Sequence, residues 1–391
     1  MKKWNISPFR LVLVCGLCVL AGAVLAMAVL RAAIGTDGIA LLQAQALIRT
    51  RFVGDYDPKR EREAAMDAMV DALGDRWSYY LTPEEYRETV TTRSNRYVGI
   101  GVTIGDGEGE PGLPILTVTR GSPAQKAGIQ PGEVILSVDG IPITEKNREA
   151  SIDRIRGEEG TEVRLEIQGK QGAVRALGVT RRSIQAVSAE WTMLEDGVAL
   201  LRLSNFYTGA FEQVRLAVNQ LTAQNARALV IDLRFNPGGY VDQLTQILDL
   251  LLPEGEIFRI RNYTGREKVY TSDDVRSVSL PMAVLVNENS FSAAELMAAQ
   301  LRESAGASVV GTRTTGKGYA QNLYRLRDGS ALNLSNSRYF TGGGVSLIGT
   351  GLTPDPYVGL SYRKQAELYA GVLDPAEDGQ LQAALGTLPA S

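Results

Sequence analysis

Apolar and polar positions along the chain fall into successive textures. Residues 11–30 carry no charge. From Leu41 to about Val90 apolar positions recur at helical spacing. That stretch closes on Leu73-Gly74-Asp75-Arg76-Trp77-Ser78-Tyr79-Tyr80-Leu81-Thr82-Pro83-Glu84-Glu85-Tyr86, in which Thr82, Pro83 and Glu85 have the order of an N-cap, a first-turn proline and a capping-box glutamate. From Tyr97 to about Arg182 short strands are predicted over 98–104, 115–119, 133–138, 163–167 and 177–180, broken by Gly and Pro turns, as in a small β-barrel. One helix start stands out there: Ser122 as N-cap, Pro123 at the first helical position, Gly128 as the stop. From Val198 the pattern alternates. Apolar strands over 198–203, 228–233, 282–286 and 309–310 are interleaved with helices over 211–221, 241–252 and 293–302. This predicts an α/β domain with a largely parallel sheet, whose functional residues gather where strands end and helices begin.

Composition narrows the chemistry. The 391 residues, enough for two or three domains, contain no histidine. A Ser-His-Asp triad, an HExxH zinc site and a His-paired cysteine nucleophile are therefore excluded. The first 31 residues hold Lys2, Lys3, Arg10 and Arg31 and no acid, which leaves the remainder at a net −7. An acidic body argues against a nucleic-acid partner. Twenty uncharged residues behind a basic cluster match a membrane span with its N-terminus in the cytoplasm. Ala26-Met27-Ala28 also has the form of a signal-peptidase site; the length of the run favours an uncleaved signal anchor over a cleaved leader. Either way the rest of the chain is expected outside the cytoplasm. The two cysteines, Cys15 and Cys18, fall inside the run, so the exported part has neither thiol nor disulfide.

Several segments carry candidate chemistry. In Gly99-Ile100-Gly101-Val102 two glycines let consecutive amide N–H groups face one carboxylate, and the strand that follows would offer a free edge to an extended peptide. Val286-Asn287-Glu288-Asn289-Ser290-Phe291-Ser292-Ala293-Ala294-Glu295-Leu296 runs from a buried strand into a helix, placing a serine at a helix N-terminus, where it is a nucleophile or only a cap. Gly316-Lys317-Gly318-Tyr319-Ala320-Gln321 sets a lysine between two glycines. Val230-Ile231-Asp232-Leu233-Arg234-Phe235-Asn236-Pro237-Gly238-Gly239 ends a buried strand in a glycine turn with amides available to an oxyanion.

The strand-rich module, with Gly121-Ser122-Pro123-Ala124, Gly132-Glu133-Val134-Ile135 and Val138-Asp139-Gly140, resembles a bacterial PDZ domain. Taken with the segments above and Gly351-Leu352-Thr353-Pro354-Asp355, the chain from about Leu73 to Val358 resembles the C-terminal processing peptidases, or tail-specific proteases, of the membrane-anchored bacterial type. The resemblance implies an α/β peptidase core of crotonase/ClpP-like fold with an inserted PDZ module. Its domains would be a cytoplasmic stub with signal anchor (1–36), a helical N-terminal region (37–96), the PDZ domain (97–182), the serine peptidase core (183–365) and a C-terminal tail (366–391). It further implies Ser292 as nucleophile, Lys317 as general base and Gln321 as the residue that orients the lysine. Oxyanion donors would be the backbone N–H of Ala293 and of a glycine in Gly238-Gly239. Gly99, Ile100, Gly101 and Val102 would bind the C-terminal tails of protein substrates, and Arg181 would report PDZ occupancy. Neither cofactor nor metal is called for, and pairing into a homodimer is expected. Two positions depart from the family pattern: Phe291 is bulky beside the nucleophile, and Thr341-Gly342-Gly343-Gly344 stands where Pro-x-Gly is usual.

Gly311-Thr312-Arg313-Thr314-Thr315-Gly316-Lys317-Gly318 nearly matches a P-loop but ends in glycine where a magnesium-binding hydroxyl is required. A non-catalytic, membrane-tethered PDZ adaptor is the stronger alternative, opposed by the intact Ser292, Lys317 and Gln321. The acidic runs 106–110 and 374–378 match no calcium-loop spacing.

Overall fold

The computed structural model describes residues 8–105, 112–119, 121–273 and 278–389. Lys2, Lys3 and the acidic run 106–110 lie outside them. The chain divides into two compact units, Met1–Leu73 and Gly74–Ser391.

The first unit holds α1 (Pro8–Arg51), broken at Gly35 where φ is 72°, and α2 (Pro58–Asp71), capped by the Asp57 carboxylate accepting from Lys59 and Arg60 N–H. The apolar run lies within α1. Among the described residues no helix is long and apolar enough to cross a membrane, so the expected spanning helix is not found there.

The second unit opens with β1 (Tyr79–Leu81), a strand inside the region read as helical, and α3 (Pro83–Arg93), started by the Thr82/Glu85 capping box. The PDZ module follows as an insertion. β2 (Arg96–Gly99) leads in, and β9 (Arg182–Gln185) leads out antiparallel to it, Gly99 opposite Arg182 and Arg96 opposite Gln185. Between them come β3 (Val102–Ile104), β4 (Leu113–Val118), α4 (Pro123–Lys126), β5 (Val134–Val138), β6 (Ile141–Pro142), α5 (Arg148–Ile155), β7 (Glu162–Gln168) and β8 (Val174–Thr180). The strands close in the order β3-β4-β5-β7-β8 around Leu113, Ile135, Val163, Leu165 and Ile167. α5, on which Ile152 and Ile155 alone face the core, was not predicted.

The remainder is layered. β10 (Ala189–Met193), β11 (Val198–Leu203), β12 (Ala228–Asp232), β15 (Met282–Val286) and β16 (Ser308–Gly311) form one sheet in that order, parallel except at β10. Side chains alternate across it. Leu229, Ile231, Val284 and Val286 face α6 (Ala210–Ala223), α7 (Val241–Leu251) and α8 (Ala293–Ala305). Ala228, Val230, Ala283 and Leu285 face α10 (Gly379–Gly386), which follows α9 (Tyr362–Tyr369). Over the helices lies a second, antiparallel sheet that the sequence pattern did not disclose. In it β18 (Ala331–Thr341) pairs with β17 (Tyr319–Arg325), with β1 and with β13 (Gly255–Asn262), which pairs with β14 (Glu267–Ser272). Phe258 and Tyr339 of this sheet close the core against α8. The glycine turn after β18 is held by α8, whose Gln300 and Glu303 side chains accept from Gly342 and Gly343 N–H.

Candidate active site

Three adjacent parallel strands, β12, β15 and β16, deliver at their carboxyl ends the glycine turn, the serine and the lysine. Backbone and buried polar contacts staple the first two loops. Ser290, fully buried, donates from Oγ to Leu233 O (2.8 Å) and accepts from Asn287 N–H; Asn287 Oδ1 accepts from Phe235 N–H; and Phe291 N–H donates to Asn236 O. Ser290 is thus a structural link, and Ser292 is the serine left facing the cleft.

Ser292 is the N-cap of α8, with φ 61° and ψ −121°. A non-glycine residue in this region stores strain of about 1–3 kcal/mol and persists only where its surroundings impose it. One of those surroundings is Gly238: a Cβ there would lie 2.9 Å from Ser292 Cβ, Ala293 N and Phe291 O, so only glycine admits the approach. The other is Glu295, completely buried in the first turn of α8. Its Oε2 accepts from Ser292 N–H (2.9 Å) and Lys317 N–H (2.8 Å), and its Oε1 from Gly316 N–H (2.7 Å) and Thr314 Oγ1 (2.5 Å). One carboxylate therefore clamps the serine loop to the lysine loop. Burial raises its pKa, and the four donors pull the other way.

Lys317 Nζ sits 4.8 Å from the Trp77 ring centre and 5.6 Å from that of Phe291, two rings 6.0 Å apart. Phe291, the bulky departure from the family pattern, is a wall of the lysine's chamber. Burial lowers the Lys317 pKa to about 8, assisted by repulsion from the Arg93 guanidinium and opposed by Asp75 and Glu295. Among the described residues Nζ closes no hydrogen bond. Ser292, Ala293, Phe291, Lys317, Gln321, Gly239, Trp77, Arg93 and Tyr339 line one cleft of about 790 Å³, floored by Leu244, Phe258, Ile260 and Leu296.

The other predicted residues divide. Gln321 lines the cleft, but its amide donates to Trp77 O and Ser335 Oγ, with no hydrogen bond to Lys317. Gly238 is buried and its N–H donates to Asn236 Oδ1 (2.8 Å). Gly239 and Ala293 N–H have no partner among the described residues, which makes Gly239 the glycine available to an oxyanion. Gly99, Ile100, Gly101 and Val102 line a separate groove of about 370 Å³ with Ile152 and Ile155 of α5 and Arg156 just after it, along the unpaired edge of β3. Arg181 is buried inside the PDZ module. Its guanidinium donates to Arg154, Ile155 and Glu162 carbonyls and to Thr161 Oγ1, tying down the end of α5 that borders the groove; it does not line the cleft that holds Ser292 and Lys317. Among the described residues no cluster of His, Cys, Asp and Glu could hold a metal.

No motif in the sequence marks Glu295, Trp77, Arg93 or Tyr339 as part of the site. For Glu295 a signal existed: a lone acid in the otherwise apolar run Ala293-Ala294-Glu295-Leu296-Met297-Ala298.

The model of peptidase family S41 matches residues 197–358, and that of a PDZ domain residues 115–169. The carboxyl-terminal-processing protease of Synechocystis sp. is 32% identical over 350 residues, which cover 88% of this chain and 80% of that protein. The carboxy-terminal processing protease of Bacillus subtilis is 29% identical over 315 residues, 80% of this chain and 67% of that one. A Bacteroides fragilis structure assigned to the S41 proteases shares the fold at a TM-score of 0.53 and 20% identity, over 86% of this chain and 91% of that one.

Proposed function

The chain belongs to the carboxyl-terminal-processing peptidases of family S41, serine-type enzymes, and from that premise we propose that it cuts proteins with a Ser292–Lys317 dyad after capturing their C-terminal tails in the PDZ groove. The observation that carries this reading is the pairing of a strained, cleft-facing Ser292 with a lysine whose pKa is about 8, in a chain without histidine. A lysine at its ordinary pKa of about 10.5 would be protonated at neutral pH and could not act as a base. Neutral Lys317 takes the Ser292 hydroxyl proton as Oγ bonds to the scissile carbonyl carbon, whose π pair moves to oxygen, between Gly239 and Ala293 N–H. Collapse of that adduct breaks the C–N bond, and Lys317 returns the proton to the departing amine. Water then releases the acyl group by the same route.

PDZ capture rests on the glycine loop and the open β3 edge, and would raise the local concentration of a tail near the cleft. Export, with residues 11–30 as a signal anchor, rests on the uncharged run and its upstream basic residues. The test of the dyad is cleavage of a loosely folded protein with an apolar C-terminus by the unaltered chain, Ser292→Ala and Lys317→Ala. Cleavage lost in both variants is expected. Cleavage retained by either would refute the dyad, and tail binding without cleavage by any of the three would favour the adaptor.

A further inference from the structure

Tyr339 ends in a buried hydroxyl with no hydrogen-bond partner among the described residues. Such an orphan costs about 1–3 kcal/mol and calls for a reason. Its position supplies one. Tyr339 is on β18, opposite Ile260 of β13, and its backbone N–H donates to Gly318 O (3.1 Å), the carbonyl next to Lys317. The ring lines the catalytic cleft with Ser292, and the hydroxyl approaches the serine without closing a bond of ordinary geometry. The residue is thus fastened to the lysine loop while its one polar atom addresses the serine.

We propose that Tyr339 is a third catalytic residue: with substrate in the cleft, its O–H donates a hydrogen bond to Ser292 Oγ. This assignment rests on the dyad reading. A serine oxygen has one hydrogen to give and two lone pairs. With one pair engaged by Tyr339, the hydrogen is directed to Lys317 Nζ and the second pair to the scissile carbonyl. As the proton leaves and charge builds on Oγ, the bond strengthens, so the donor favours the transition state over the ground state. Tyr339 keeps its own proton throughout. Complete burial, with Glu295 nearby, holds its pKa well above 10, so it stays a donor across the working range.

Tyr339→Phe separates this role from a structural one, because it removes only the oxygen. The expected result is a kcat lower by roughly 10- to 100-fold with KM within about twofold, the size of losing one donor to a developing charge. Reaction of Ser292 with a small fluorophosphonate should slow in parallel. The thermal midpoint should stay level or rise, since an unsatisfied buried hydroxyl has gone. Unchanged kcat and labelling rate in Tyr339→Phe, with the unaltered chain active, would overturn the Tyr339 assignment alone. A fall in midpoint together with kcat and KM would also overturn it, in favour of packing. An unaltered chain that neither cuts peptide nor reacts with the fluorophosphonate would overturn the dyad and the Tyr339 role together.

Discussion

Replacing Lys317 by methionine should make the protein more stable at neutral pH while abolishing catalysis. At pH 7 the lysine is protonated in both the folded and the unfolded chain, but in the fold its ammonium is largely buried, beside Arg93. Its pKa of about 8, against an ordinary 10.5, measures that penalty. At about 1.4 kcal/mol per pH unit the penalty is at most about 3.5 kcal/mol. Contact with the Trp77 and Phe291 rings favours the ammonium and offsets about 0.5–1 kcal/mol of that penalty. Methionine has a similar reach, carries no charge and packs well against aromatic rings. The folded-state pKa lies below the unfolded one, so between about 8 and 10.5 the fold binds fewer protons than the unfolded chain. The stability of the unaltered chain therefore rises with pH across that window. The advantage of Lys317→Met is then largest below pH 8, about 2–3 kcal/mol, and fades towards pH 10.5. Thermal unfolding of the two chains from pH 6 to 10.5 reads this as a midpoint difference of roughly 3–5 °C that closes with alkalinity. A difference independent of pH, or a methionine variant less stable at pH 7, would show that the lysine is not held against its charge, and would remove the physical basis for its acting as a base.

Three further outcomes follow from the same geometry. The kcat/KM for a free peptide, with chemistry rate-limiting, should rise about tenfold per pH unit below about 8 and level off above it, because only neutral Lys317 accepts a proton; a flat profile from pH 6 to 9 would contradict the assignment. Glu295→Gln leaves an amide that cannot accept from all four donors, so the serine and lysine loops should loosen, with kcat falling about 100-fold and the fold losing about 3 kcal/mol in urea unfolding; near-normal values for both would refute the clamp. Asp378→Ala deprives the buried Arg234 guanidinium of one of its two carboxylates, the one that binds the start of α10 to the strand bearing the glycine turn; a loss of about 3–5 kcal/mol is expected, and less than about 1 would mean the charge finds water instead.

What the chain disclosed in advance follows from which interactions are local. The parallel sheet was legible because β12 and β15 are covered on both faces and so read as unbroken apolar runs. Caps such as Thr82–Glu85 and Ser122–Gln125 were legible because donor and acceptor lie three residues apart. The antiparallel sheet was not. β13 mixes Phe258 with Arg259 and Arg261, and β18 reads Leu-Asn-Leu-Ser-Asn-Ser-Arg, because these strands bury one face only and their partners are remote; β1 meets β18 about 250 residues later. The same division runs through the site. Ser292 and Lys317 were marked by glycines and by a strand-to-helix turn, the local devices needed to expose a side chain. Glu295 resembled an ordinary capping-box acid, since three of its four donors arrive 19–22 residues downstream. Tyr339 and Trp77 reach the cleft from the unpredicted sheet and the loop beside it, so no local pattern could have named them. The legible part of the site thus comprises the groups placed by the backbone that bears them. The illegible part is the shell that gives those groups their properties: the carboxylate that fixes their separation, the rings that desolvate the lysine and the hydroxyl that faces the serine. A chain could keep every marked residue and still lose activity through that shell, which makes substitutions at Glu295, Trp77 and Tyr339 more informative about mechanism than removal of Ser292 itself.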